Sequence, residues 1–508
     1  MSSLTRRQVA ALLVPFRLLA RARNTRAKKR PLSLQAAIEK EIAATDPLGS
    51  AFLGMLAVRV SDGKVLYQQN QQRLFVPASN AKLFTTALAL LRLGPDYRFA
   101  TSILAEGHVD ENGQLKGDLV LVGRGDPSLS DRVYPYTTDP STPDPSNLAP
   151  LQPIDKLADQ LIQGGLRSVD GDIAGDDTRY PWAPYPGGWS SGDETWDYGA
   201  PVSAIIVNDN RITLSIAPGG ADGDPAQVAF LPAIEYFEVN NQVRTDVQPG
   251  KAIHIVRPEG SREITLWGRI GIAEAPVLER LAIPEPALFG AMVLRSSLLK
   301  RGVAVRGEAV VRHRLLADNA APPAPLTGSE MARRTSPPLI QILQVVGKVS
   351  QNLHAEILLR EVGAVRRGNG TVAAALTEMG DFLIAAGIPG DDVHLRDGSG
   401  LSRNTLVTPD AIVKLLLFLY RSPVREQFMA LLPVGGEDGS LHLRFKGHDE
   451  ARGIHAKTGT LSDVHALSGY AESKTNGLVA FSILINNVSG EGPRITQFLD
   501  NIGLNLLR

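Results

Sequence analysis

The chain has 508 residues, 43% hydrophobic and 21% charged, the mix of a soluble globular protein with room for about two to four domains. Lys+Arg 53 cancels Asp+Glu 53, which argues against a nucleic-acid binder. Cysteine is absent, so disulfides, thiolate metal sites, iron–sulfur clusters and a cysteine nucleophile are excluded.

Residues 1–30 form a basic leader. Arg6 and Arg7 precede a modest apolar run from Val9 to Leu19, and Ala20-Arg21-Ala22 has the spacing of a cleavage site. This pattern predicts an export signal, of the twin-arginine kind. The competing reading is a disordered leader, since Pro15 and Arg17 interrupt the run. No later stretch has about 18 uninterrupted apolar residues, so no transmembrane segment is expected.

Leu34 to Ala43 has helical periodicity. Phe52 to Val60 and Val65 to Gln69 flank the turn Ser61-Asp62-Gly63-Lys64 and predict a hairpin. Ser79 to Leu93 predicts a helix stopped by Gly94-Pro95. From Tyr97 to about Thr327 the texture changes. Strands are expected over Phe99 to Ala105 and Asp118 to Val122, a loop over Tyr134 to Pro153, and a helix over Ile154 to Gly164. Short alternating runs at Arg211 to Ile216, Tyr236 to Val239, Ala252 to Val256 and Ile264 to Trp267 predict a β-rich module. A helix over Ala287 to Arg301, a strand over Val303 to His313 and a Pro/Ala linker over Ala320 to Pro325 follow.

Helices return at Leu339 to Val346, Ser350 to Val362, Thr371 to Ala386 and Pro409 to Tyr420. The end reads as Ile454 to Thr460, strands Val464 to Ala471 and Gly477 to Asn486, and helix Pro493 to Leu507. The simplest architecture is mixed α/β (α+β). Residues 31–95 and 328–508 then form one part. Residues 96–201 and 284–327 form an inserted part, and residues 202–283 a β-rich module within it.

Nucleotide, zinc-protease and hydrolase-elbow signatures are missing. His442, His448, His455 and His465 have spacings that match no metal pattern. No metal and no cofactor is expected. Arg124-Gly125-Asp126 reads as a turn after a strand.

S-x-x-K occurs at Ser61/Lys64, Ser79/Lys82 and Ser297/Lys300. Ser61 lies in a hairpin turn, and Ser297 lies inside a helix. Ser79 opens one, where helix-end amides and their field favour a nucleophilic oxygen. Lys82, one turn on, reaches that oxygen and becomes a base if burial and positive neighbours lower its pKa. S-x-N occurs at Ser350-Gln351-Asn352 and at Ser402-Arg403-Asn404. The first opens a strong helix and is favoured. K-T-G occurs once, at Lys457-Thr458-Gly459, where Gly459 suits close passage of a substrate backbone.

PASNAKLFTTALALLRLG, GDLVLVGRGDPSL, YGAPVSAIIVNDN, VSQNLHAEILLREVG, DGSGLSRNTLVTP and HAKTGTLSDVHALSGY together resemble the D-alanyl-D-alanine carboxypeptidase/endopeptidase family, peptidase family S13. These are low-molecular-mass class C penicillin-binding proteins. The resemblance runs from about Leu34 to the C-terminus, with Gln351 where the family more usually has Asp. It implies a penicillin-binding fold with a large insertion and a periplasmic or other extracytoplasmic location. The substrates would be peptidoglycan stem peptides, and β-lactams would inhibit.

Through it, Ser79 is the nucleophile and Lys82 its base. Ser350 relays a proton to the departing amine, with Lys457 beside it, its charge also helping to bind the terminal carboxylate. Asn352 holds the substrate amide, Thr458 and Thr460 the terminal carboxylate, and the N–H groups of Ser79 and Thr460 the oxyanion. Arg403, with Asp176 or its neighbour Asp177, would read a diaminopimelate side chain. A β-lactamase or esterase on the same fold and a non-catalytic peptidoglycan-binding or sensor protein are the alternative readings.

Overall fold

The structure is a computed structural model that describes residues 32–45, 51–136, 149–318, 326–488 and 492–508. The leader, most of the loop after Tyr134 and the Ala320 to Pro325 linker lie outside the described residues.

The first segment is α1 (Leu34–Ala44), β1 (Phe52–Arg59), β2 (Val65–Gln69) and α2 (Lys82–Leu93). Ser33 caps α1 by accepting the Ala36 N–H, as a Ser at that position is suited to do. The middle segment begins with β3 (Ala100–Val109), β4 (Gln114–Val122), α3 (Gln152–Gln163), β5 (Ser168–Val169) and β6 (Ile173–Trp182). It continues with β7 (Arg211–Ala217), β8 (Gln227–Leu231), β9 (Glu238–Asp246), β10 (Lys251–Val256), β11 (Glu263–Gly271) and β12 (Val277–Ala282). It closes with α4 (Pro286–Lys300), β13 (Ala304–Val305), β14 (Ala309–Leu315) and β15 (Ser329–Thr335).

The last segment holds α5 (Leu339–Gln344), α6 (Asn352–Arg367), α7 (Val372–Ala385), β16 (Val393–His394), β17 (Leu406–Val407), α8 (Pro409–Tyr420) and α9 (Arg425–Leu431). It ends with β18 (Ile454–Leu461), β19 (Val464–Ser473), β20 (Gly477–Asn486) and α10 (Gly492–Leu506). Thr371 caps α7 and Thr408 caps α8, where Pro409 occupies the first turn; there its missing N–H costs nothing.

The two ends of the chain share one antiparallel sheet in the order β18-β19-β20-β1-β2. That sheet is covered on both faces, which explains why β20 is an unbroken apolar run rather than an alternating one. Ala480 and Leu484 join the core with α2 and α5 to α8. Val479, Phe481, Ile483 and Ile485 join the core on the other face with α1 and α10. A strand more than 400 residues downstream pairs β1 along its whole length, Phe52 with Asn486 through Arg59 with Val479. Sequence-distant motifs are thereby brought to one edge.

The middle segment builds a separate seven-stranded sheet (β13-β5-β4-β3-β15, with β6 and β14) and two three-stranded sheets, β10-β11-β9 and β12-β7-β8. Its core is also its own, gathered around Ile205, Val207, Phe289 and Leu294. Three local expectations change. Residues 329–335, assigned above to the flanking part, form β15 and pair with β3. The strand expected over Val303 to His313 is two strands, because β13 pairs β5 while β14 pairs β6. β8 and β12 were not foreseen. Asp126 of the RGD triplet is fully buried and ion-paired to Arg334, so the triplet is structural.

Candidate active site

The turn that carries Ser79 is a tight 3-10 turn, Ala78–Ala81, leading into α2 at Lys82. The α-helix proper therefore starts three residues after Ser79. Ala78 holds a left-handed φ of 48°, which an L-residue adopts only under constraint. The constraints are visible. Asn80 Nδ2 donates to Ser468 Oγ at 2.7 Å, tying the turn to β19. Gly459 on β18 and Gly400 both abut the turn, since a Cβ on either would lie 2.8 Å from the Pro77 carbonyl or 1.9 Å from the Ala78 carbonyl. The missing side chain of Gly459 thus admits the protein's own backbone, where a substrate backbone was expected.

Lys82 is buried with its Nζ 2.8 Å from Ser79 Oγ, 2.7 Å from Asn352 Oδ1 and 2.7 Å from the Ser399 carbonyl. The last two partners only accept hydrogen bonds. A neutral amine has two N–H groups and one lone pair, so those acceptors take both N–H groups and leave the lone pair facing the Ser79 hydroxyl. Burial pushes the Lys82 pKa down to about 7, against the pull of Asp397 and Glu356. Near neutrality a substantial fraction is therefore free base.

Glu356 accepts the N–H groups of Gly398 and Ser399 at 3.0 and 2.7 Å. Burial and Asp397 push its carboxyl up to about 7. Asp397 in turn accepts from Trp189, Ser399, Ser402 and Thr405. This pair holds the loop that presents the Ser399 carbonyl to Lys82.

Ser350 sits between a π-helical turn and α6 with a left-handed φ of 68°. Gln351 caps α6 by accepting the Leu353 N–H. The position where the resemblance expects Asp therefore serves as a cap, which an amide oxygen also fills. Lys457 Nζ donates to Ser350 Oγ at 2.8 Å and to the Thr458 carbonyl at 3.0 Å. It is fully buried. Burial and the neighbouring Lys82 hold its pKa well below the usual lysine value. Thr458 Oγ1 lies 2.6 Å from Ser440 Oγ. Asn352 Nδ2 donates to the Tyr198 carbonyl at 2.8 Å, which docks a loop of the inserted segment onto α6.

β18 is an edge strand. The Ala456 N–H bonds outward to the Pro433 carbonyl at 2.9 Å, and strand alternation repeats that direction at Thr458 and Thr460. The Thr460 N–H therefore lies on the free edge. Beside it a cleft of about 340 Å³ is lined by Ser79, Ser350, Asn352, Arg403 and Thr460, together with Asp193 and Tyr198. Arg403 is exposed and donates to the Ser462 carbonyl at 3.1 Å.

Ser79, Lys82, Ser350, Asn352, Lys457, Thr458, Gly459, Thr460 and Arg403 thus converge. Asp176 does not. It lies on β6, bonded to Thr178, in a different cavity, and Asp177 is consumed by Ser203 and His313. The acid that lines the same cleft as Arg403 is Asp193, which accepts the Tyr198 hydroxyl at 3.1 Å. Glu356, Asp397 and Asp193 were missed by sequence reasoning. DGSG and the Asp193-Glu194 pair stood in the sequence, but nothing local ties them to Lys82 or Arg403. Among the described residues no group of three or more His, Asp or Glu side chains is arranged to hold a metal ion.

This fold, a two-faced sheet with the Ser79 turn at its edge strand, is that of the penicillin-binding proteins. The chain belongs to the D-Ala-D-Ala carboxypeptidase 3 (S13) family, whose model matches residues 34–502. It is 34% identical over 466 residues to a D-alanyl-D-alanine carboxypeptidase of Actinomadura sp. (strain R39), covering 89% of this chain and 81% of that one. A Haemophilus influenzae relative named D-alanyl-D-alanine carboxypeptidase DacB is 24% identical and covers 86% of each chain. The crystal structure of penicillin binding protein 4 (dacB) from Haemophilus influenzae superposes with a TM-score of 0.77 at 22% identity, covering 93% of this chain and 99% of that one.

Proposed function

We propose that the protein is a serine-type D-Ala-D-Ala carboxypeptidase, with DD-endopeptidase action at the same site, working on peptidoglycan stem peptides outside the cytoplasm. The observation that carries this reading is the buried Lys82 Nζ, 2.8 Å from Ser79 Oγ and 2.7 Å from each of two acceptors, Asn352 Oδ1 and the Ser399 carbonyl.

Ser79 Oγ attacks the carbonyl carbon of the penultimate D-alanine, and its proton passes to Lys82 Nζ. The developing oxyanion is held by the N–H groups of Ser79 and Thr460, fixed donors of the kind that contribute most in acyl transfer. As the C–N bond breaks, the Ser350 hydroxyl relays to the departing amine the proton that Lys82 took from Ser79, with Lys457 beside it, so Lys82 returns to the free base. Thr458, Thr460 and Lys457 bind the terminal carboxylate, and Asn352 orients the peptide amide. Water then attacks the acyl ester with Lys82 as base, releasing the shortened peptide. A β-lactam follows the first half of the path, but its amine stays tethered after ring opening and the ester persists.

Arg403 and Asp193, one base and one acid facing a shared cleft, suit a side chain that ends in both an amine and a carboxylate, as diaminopimelate does. The same reading treats the two ends of the chain as the catalytic part and the β3-to-β15 segment as an insertion that carries Asp193 and Tyr198 to the cleft. No helix among the described residues is long and apolar enough to cross a membrane. The test is chromatographic detection of D-alanine released from a synthetic stem peptide ending in D-Ala-D-Ala. Release is expected from the native protein and not from Ser79→Ala. Equal release by both, or by neither, would overturn the assignment.

A further inference from the structure

A second cavity holds charged side chains that the reaction above does not use. It measures about 290 Å³ and is lined by Arg124, Asp176, Arg179, Arg314, Gly368 and Gly370, where β6 and β14 meet the C-terminal end of α6. α6 has 16 residues, about 24 Å at 1.5 Å per residue, and Asn352 stands at its opposite end. The cavity is thus a helix length from the serine cleft.

Arg179 is already engaged, through Nε and Nη2, with Glu361 at 2.8 and 2.6 Å. Arg314 is not. Its side chain is only 8% exposed, and its Nε is buried with no hydrogen-bond partner. No carboxylate among the described residues pairs with its guanidinium. Burial lowers its pKa with nothing opposing. A buried N–H donor left idle is costly unless something fills it. Arg124 stands exposed at the rim, with no ion-pair partner among the described residues.

Asp176 adds the opposite sign. It is 6% exposed, and its Oδ1 accepts the N–H and hydroxyl of Thr178 at 3.0 and 2.7 Å. Its Oδ2 has no partner among the described residues. Gly368 lies exposed at the cavity mouth.

A simple dianion would be drawn to Arg314 and repelled by Asp176. A simple cation would meet the reverse. A molecule that carries both signs satisfies both groups. We propose that this cavity binds a small α-amino acid as its zwitterion, the carboxylate on Arg314 and Arg124 and the ammonium on Asp176. The assignment stands apart from the reaction and does not require it.

Isothermal titration of the full protein near pH 7 tests it, with glycine, D-alanine, acetate, methylamine and inorganic phosphate as probes. Saturable binding of glycine or D-alanine is expected, with acetate, methylamine and phosphate at least tenfold weaker. Arg314→Met and Asp176→Asn should each weaken it by roughly 10- to 150-fold, the range for a charge-assisted hydrogen bond. Arg124→Ala, an exposed position that folding tolerates, should weaken it by a smaller factor. Failure of both amino acids to bind would overturn the proposal, as would phosphate or acetate binding equally well, or affinity undiminished in all three variants. Loss on Arg403→Ala would place the ligand in the serine cleft and would also overturn it.

Discussion

If Lys82 is the base, the rate of acylation follows its free-amine fraction. With its pKa at about 7, that fraction is about a tenth at pH 6, half at pH 7 and nine-tenths at pH 8. At the ordinary lysine value of 10.5 it would be only about 0.03% at pH 7, so burial multiplies the active form roughly a thousandfold. Because the folded pKa is depressed, activity is present above pH 7 and lost as the pH falls through it. Glu356 titrates in the same range, so the observed midpoint belongs to the pair.

The assay is stopped-flow acylation by a fluorescent penicillin from pH 5.5 to 9. A rise of about tenfold from pH 6 to pH 8 is expected, followed by a plateau. Glu356→Gln removes one of the two charges that hold the Lys82 pKa up, so its midpoint should move to lower pH. Lys82→Arg keeps the charge but cannot lose a proton, and should acylate at least a thousandfold more slowly at every pH. A flat profile, a midpoint near 10, or near-normal acylation by Lys82→Arg would refute the reasoning.

If Ser350 relays the proton, Ser350→Ala, which leaves the Ser79–Lys82 contact, should slow acylation by about 100- to 10,000-fold without changing the melting temperature greatly. Binding of a peptide carboxylate to the depressed Lys457 should raise its pKa and take up a proton, read as a buffer-dependent binding enthalpy; identical enthalpies in two buffers would contradict it. Gly459→Ala places a Cβ 2.8 Å from the Pro77 carbonyl, and should destabilise the fold by about 1–3 kcal/mol and slow acylation, measured by thermal melting and penicillin labelling together. Arg403→Ala and Asp193→Asn should each slow cleavage of diaminopimelate-bearing peptides by about 10- to 150-fold and spare simple D-Ala-D-Ala peptides, whereas Asp176→Asn should leave that selectivity intact.

What the sequence discloses, and what it withholds, follow from the range of the interactions. Ser79, Ser350 and Lys457 are legible because each sits beside a local signal: a helix start, a helix cap, a glycine on a strand. Most helices are legible for the same reason, as with Pro409 at the first turn of α8. Asp193 and Glu356 are not legible. Each acts through the fold, Asp193 on a loop docked by Asn352 and Glu356 one turn inside α6 under the Gly398–Ser399 backbone. Asp176 misled because a Gly-Asp-Asp turn looks alike whether it faces a cleft or a sheet partner; only the pairing of β6 with β4 and β14 turns it away from Ser79. β15 was hidden because its polar alternation, with Arg333 and Arg334, resembles a surface loop until β3 supplies its partner.

The central claim is that Ser79 is the acylated residue, activated by Lys82. The most direct measurement is peptide mapping by mass spectrometry after reaction with penicillin. The account predicts one added penicilloyl group on the peptide containing Ser79, and none in Ser79→Ala. Modification of Ser61, Ser297 or Ser350 instead, or an unmodified chain with intact folding, would contradict it.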